Sequence, residues 1–286
     1  MVEATPFPHD RVTLMAVVNA TPDSFSDGGR VLGADGMPDP AAAVRLGVRL
    51  VADGANVLDV GGESTRPGAR AVPEDEEIAR TVPVLEALAK AVAVPLSIDT
   101  RKARVAEAAI AAGARVVNDV SGLRFDPDLA RVVAHAGATL VLGHLRGEPE
   151  TMQDAVHFDD CLAEVGDELA ESAARAVRAG VARERIVVDP GIGFGKRTAE
   201  SLVLLASCGR LRERLGFPLL VGPSRKSFLG ELTGDAVAER DRATIAACAV
   251  AVFAGADALR VHDVAGAARA AAVGLALRAA RRGGAP

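Results

Sequence analysis

Short runs rich in Val, Ile and Leu alternate with Ala-rich stretches of helical period about eight times along this chain, and nothing else in it restricts the fold so strongly. The expected strands cover 12–19, 55–60, 94–99, 115–119, 138–144, 185–189, 218–222 and 258–262. Helices are expected over 40–54, 102–113, 126–137 and 158–180. Each of these closes on a glycine (Gly54, Gly113, Gly137, Gly180), where a left-handed residue stops a helix without a Cβ clash. Strands that are apolar almost throughout need cover on both faces. That favours an α/β fold closed as a parallel barrel with helices outside, over an open doubly wound sheet, which usually has fewer strands. A chain of 286 residues fits one such domain over 1–286, with its core over about 12–282.

A barrel of this kind collects its chemistry where strands end. The expected strand ends carry Asn19, Asp59, Asp99, Asn118, Asp119, His144, Asp189, Ser224 to Ser227, Arg260 and His262. Three connections, 20–39, 61–77 and 145–157, are long enough to be ligand walls or lids. The first leaves an apolar run at Asn19 and enters TPDSFSDGG, expected to fold over a site on hinges at Gly28 and Gly29.

Several stretches suggest contacts with an anion and a flat ring. In DVGGESTRPGA, freed amides at Gly61 and Gly62 stand beside Arg66, whose fork suits phosphate. Arg260 and His262 are two apart and so share a strand face, which suggests anion binding. Lys226, in GPSRKSFLG, reads as a Schiff-base nucleophile, a point-charge donor or a solvated lysine. DPGIGFGKRT fails as a phosphate loop, because Pro190 holds the place of the first glycine and Arg197 that of the hydroxyl residue. It reads better as a glycine-rich wall that lets Phe194 stack on a flat ligand. Asp99, Asn118 and Asp189 supply acceptors and an amide suited to the edge of a heterocycle; a shared metal, or a local Asp99–Arg101 pair, are the alternatives. The acidic run 74–77 reads as a helix start, and His9, His135 and His157 as structural.

Composition excludes other classes. A net charge of -5 argues against nucleic-acid binding. Cys161, Cys208 and Cys248 form no pattern for a disulfide framework or zinc site. The amino terminus lacks a signal pattern, and the apolar stretch 243–259 is too short for a span and is broken by Asp257, so no membrane partner and a cytoplasmic location are expected.

Taken jointly, NATPDSFSDGG, GGESTRPGA, IDT with Arg101 and Lys102, NDVSG, GHLRGEPETMQ, DPGIGFGK, GPSRKSFLG and RVHDV occur in the order of the dihydropteroate synthase family, over 12–264, and the chain resembles that family closely. The resemblance implies a (β/α)8 TIM barrel that joins 6-hydroxymethyl-7,8-dihydropterin diphosphate to p-aminobenzoate in folate biosynthesis. It implies Mg²⁺ held with Asn19, and a diphosphate surrounded by Asn19, Arg66, Arg260 and His262. It implies pterin contacts from Thr65, Asp99, Asn118, Asp189 and Lys226, and p-aminobenzoate contacts from Phe25, Thr65, Pro67, Phe194, Ser224 and Arg225. It also implies a homodimer through outer helices, to which the helix around 243–254 would contribute. Gly143 and Leu145, on either side of His144, stand where the family often has Met, which removes bulk from the pterin pocket. The rivals are a pterin-dependent methyltransferase, which would not need the STRPG and SRKS loops, and a catalytically silent pterin-binding protein, which would not need the full diphosphate set.

Overall fold

The computed structural model describes residues 5–8, 11–21, 31, 37–66, 68–154, 156–281 and 283. Among them are eight strands, β1 (Thr13–Asn19), β2 (Val57–Gly61), β3 (Leu96–Asp99), β4 (Ala114–Asp119), β5 (Thr139–Leu142), β6 (Ile186–Val188), β7 (Leu220–Val221) and β8 (Ala258–Val261). The helices are α1 (Pro40–Ala52), α2 (Glu74–Ala91), α3 (Ala103–Ala111), α4 (Leu129–Ala136), α5 (Cys161–Arg178), α6 (Thr198–Ala206), α7 (Cys208–Leu215), α8 (Ser227–Thr233), α9 (Asp241–Ala254) and α10 (Val264–Arg281). The strands pair in parallel in the order β6-β5-β4-β3-β2-β1-β8-β7. A single parallel bridge, Val188 to Leu219, spans the remaining edge. The result is the nearly closed (β/α)8 barrel expected from the alternation.

Two residues per pleat explain how the strands serve two environments. Leu14, Ala16, Val18, Leu58, Val60, Ile98, Leu140 and Leu142 point outward into the core shared with the helices. Inward, Met15, Val57, Val116, Val141, Val187, Leu220 and Ala258 join Phe7 in one apolar layer, each no more than 1% exposed. Two positions further along these strands the inward residues turn polar at Asp59, Asn118, Asp189 and Arg260. The registers bring Val17 beside Asp59, Gly61 beside Asp99, and Asp99 beside Asn118. The barrel thus has an apolar plug below and a polar floor above it. Most strands are one to three residues shorter than expected, while β4 starts one residue earlier, and Asp59, Asn118 and Arg260 of the floor lie within β2, β4 and β8.

Local signals account for the helix ends. Pro40 opens α1, and Asp39 accepts from the Ala41 amide; Asp160 caps α5 through the Ala163 amide. Gly137 ends α4 in the left-handed region, whereas the right-handed Asp53, Ala112 and Ala179 end α1, α3 and α5. Gly54, Gly113 and Gly180 follow those three caps at positive φ, so all four glycines reverse the chain as expected. The apolar stretch 243–259 resolves into α9, a sharp turn at Gly255 and the start of β8. Among the described residues, no helix is long and apolar enough to cross a membrane.

Candidate active site

At the carboxyl ends of the strands two cavities adjoin, of about 40 Å³ and about 490 Å³, sharing Val17, Phe194, Ser224, Lys226, Arg260 and His262 on their walls. Asn118 and Asp189 face the smaller cavity, and Asn19, Thr65, Arg66, Asp99 and Arg225 face the larger. Every described candidate therefore meets at one mouth. Phe25 and Pro67, with Gly28 and Gly29, lie outside the described residues.

The centre of the floor is Arg260. Its Nε donates to Asp59 Oδ2 at 2.7 Å and its Nη2 to Asp99 Oδ2 at 2.6 Å. Asn118 Nδ2 donates to the same Asp59 oxygen at 3.2 Å, which turns the amide oxygen of Asn118 away from Asp59. The other oxygens of Asp59 and Asp99 are buried without a hydrogen-bond partner in the protein. Burial pushes Asp99 up to about 7 against the pull of Arg260, with Asp59 pushing the same way. Arg260 is raised above its ordinary range: the two carboxylates outweigh its desolvation. Asp99 thus bonds to Arg260, and no local Asp99–Arg101 pair forms; Arg101 turns to Glu63 and Glu148. Asp59 is the floor residue to which the sequence assigned no role. Its inward register opposite Val17 was the available signal.

Asp189 lies just past β6, and its Oδ1 accepts from the Gly191 amide at 2.7 Å; burial raises its pKa. Lys226 is pulled down to about 7 by burial, with Asp189 opposing, and its Nζ sits 3.3 Å from the centroid of the Phe194 ring. Ser224 Oγ accepts from the His262 backbone amide at 3.3 Å and lies 2.9 Å from His262 Nδ1. If the hydroxyl gives its proton to Nδ1, His262 carries its own on Nε2. Burial and then the charges of Arg225, Arg260 and Arg66 hold His262 down at about 3, which keeps the ring neutral near pH 7. Arg225 makes two bonds to Asp241, at 2.7 and 2.9 Å, from a left-handed backbone at φ 58°.

Behind the second loop lies a charged cluster that the sequence did not reveal. Lys102 Nζ donates to Glu63, to Glu77 and, at 2.6 Å, to the Val72 carbonyl. Glu77 is thereby a buried ion-pair partner, not merely one of the acidic residues opening α2. The missing bulk at position 143 also has an explanation. A Cβ on Gly143 would lie 2.6 Å from the Val120 Cα, so backbone occupies space that a methionine side chain would need to enter.

Comparison with known proteins gives the family of the chain. A family model described as pterin binding enzyme matches residues 15–262. The chain is 44% identical over 255 residues to the dihydropteroate synthase of Synechocystis, covering 89% of this chain and 86% of that one. It resembles the Yersinia pestis dihydropteroate synthase solved with a sulfonamide drug, at a TM-score of 0.88 and 39% identity over 95% of this chain and 96% of that one. The Xanthomonas albilineans dihydropteroate synthase solved with 4-aminobenzoic acid matches at a TM-score of 0.84 and 47% identity, over 94% of each chain.

Proposed function

The chain belongs to the pterin-binding enzymes, among the dihydropteroate synthases of folate biosynthesis, and from that premise we propose how its own residues carry out the transfer. The reaction breaks the bond between the pterin methylene and the diphosphate, whose oxygen keeps the electron pair. The amine nitrogen of p-aminobenzoate then bonds to the methylene and releases a proton. The observation that carries the assignment is the Arg260 bridge to Asp59 and Asp99, which joins a ring-binding floor to a diphosphate-binding wall at one mouth.

Asp99, Asn118 and Asp189 hold the donors along the pterin edge, while Lys226 donates to its acceptor atoms. Arg66, Arg260 and the N–H of His262 meet charge growing on the departing diphosphate, so electrostatic stabilisation, and not a strong base, lowers the barrier. Thr65 touches the pterin substrate and joins Phe194, Ser224 and Arg225 around the p-aminobenzoate.

Asn19 lines the larger cavity, and among the described residues no group of three His, Cys, Asp or Glu could hold a metal. Mg²⁺ keeps several waters and binds largely through substrate phosphates, so this sparse donor set fits it. When bound, it supplies positive charge to the leaving diphosphate. A homodimer packed through α9 and α10 is supported by Val250, Val273 and Leu277, which stand 47%, 55% and 53% exposed. A cytoplasmic location completes the reading.

Diphosphate release from the pterin diphosphate, with and without p-aminobenzoate and Mg²⁺, tests it. Release that depends on both is expected; release indifferent to the amine would overturn the assignment.

A further inference from the structure

The glycine-rich loop after β6 lies flush against the loop after β5. A Cβ on Gly191 would sit 1.9 Å from the His144 carbonyl oxygen, and one on Gly195 2.9 Å from that of Arg146. Both glycines have φ near 60°, and both loops border the smaller cavity through His144 on one side and Asp189 and Phe194 on the other. One side chain pins the two together. Lys196 is 2% exposed, and its Nζ lies 2.9 Å from His144 Nδ1, 3.2 Å from the His144 carbonyl and 2.9 Å from the Phe194 carbonyl. An ammonium has three protons and no lone pair, so these three acceptors use it completely.

The pin also decides the imidazole. With Nδ1 accepting from Lys196, the ring proton must be on Nε2, which lies 3.0 Å from Glu168 Oε2. That carboxylate is anchored in turn by Arg124 and Arg146. Burial and the Lys196 charge hold His144 down at about 4, in agreement with a neutral ring. Burial also pulls Lys196 down to about 7, but only the ammonium satisfies all three acceptors.

We propose that Lys196 is a positioning residue for the flat-ring pocket, fixing the Asp189–Phe194 wall against His144 and locking His144 as its Nε2–H tautomer. The inference rests on the synthase reading for its substrate, and on hydrogen-bond geometry for the rest.

The test compares Lys196→Met, His144→Leu and His144→Asn with the parent. The asparagine amide oxygen takes the place of Nδ1 for Lys196. Lys196→Met and His144→Leu should each raise KM for the pterin diphosphate about tenfold or more, as expected when a wall shifts by a fraction of an ångström, with kcat changed less. His144→Asn should stay within about threefold of the parent, a rescue that simple loss of packing does not give. Independently of activity, nitrogen-15 spectra of histidine-labelled protein should show the His144 ring, assigned by its loss in His144→Asn, as the Nε2–H tautomer. Lys196→Met should shift its Nδ1 resonance. An unchanged KM and unchanged ring resonances in Lys196→Met would overturn the proposal. If that variant does not fold, equal KM values in His144→Leu and His144→Asn would overturn it. A parent protein lacking amine-dependent release would sink the synthase reading alone, because the tautomer is read without turnover.

Discussion

Arg260 shows how much one side chain carries. Its fork holds two buried carboxylates at once, which a lysine point charge cannot do with the same geometry. Arg260→Lys should therefore lower kcat/KM by about 100- to 1000-fold, as loss of a preorganised donor to transition-state charge does, while a retained unfolding midpoint would separate this from collapse. His144 makes a second prediction at this scale, about pH. Its folded pKa, about 4, lies below the unfolded value of 6.5. Below pH 6.5 the unfolded chain takes up a proton that the folded ring refuses, so the contribution of His144 to stability is lost as pH falls from 6.5 toward 4. Relative to His144→Asn, the parent should lose about 1.4 kcal/mol per pH unit in that window, read from urea midpoints at several pH values. The polar types at the strand ends were legible as candidates because strand ends of a barrel carry chemistry. Their protonation was not, since it depends on burial: Asp99 near 7 and His262 near 3 reflect neighbours far apart in sequence.

Among the elements, the connection from β2 to α2 carries Thr65 and Arg66 and is tied down by Lys102 at the start of α3. Lys102→Met would leave Glu77 buried without its cation and Glu63 with Arg101 alone, and should cost about 3–5 kcal/mol in denaturant unfolding. KM for p-aminobenzoate should rise as Thr65 is released. Gly143 belongs to the same scale. Its Cβ would press on the Val120 Cα at 2.6 Å and its carbonyl oxygen at 2.7 Å, so Gly143→Ala should destabilise by about 1–3 kcal/mol. It should raise KM for the pterin diphosphate more than for p-aminobenzoate, because both residues border the smaller cavity. The sequence marked the long connections and the substitution at position 143, but not what they pack against. Which backbone abuts Gly143 is set by the β4–β5 register, and that is a pairing between separate segments.

Over the whole molecule, the proposed homodimer predicts that Leu277→Glu, on the outward side of α10, shifts the mass measured by light scattering toward the monomer while amine-dependent diphosphate release persists. The barrel itself follows from a repeated local code: apolar runs short enough for strands, helical stretches between them and glycines that turn the chain. Those signals act within a few residues, so the order of elements, the parallel barrel and the polar strand ends could be read from the sequence alone. The apolar layer beneath a polar floor emerged only when the strands were set in register. So did the buried clusters around Lys102 and Lys196, whose side-chain partners lie 25 to 52 residues away along the chain. Charge and hydrogen-bond balance in a low-dielectric interior depends on distances through space, and closing the barrel is what sets them.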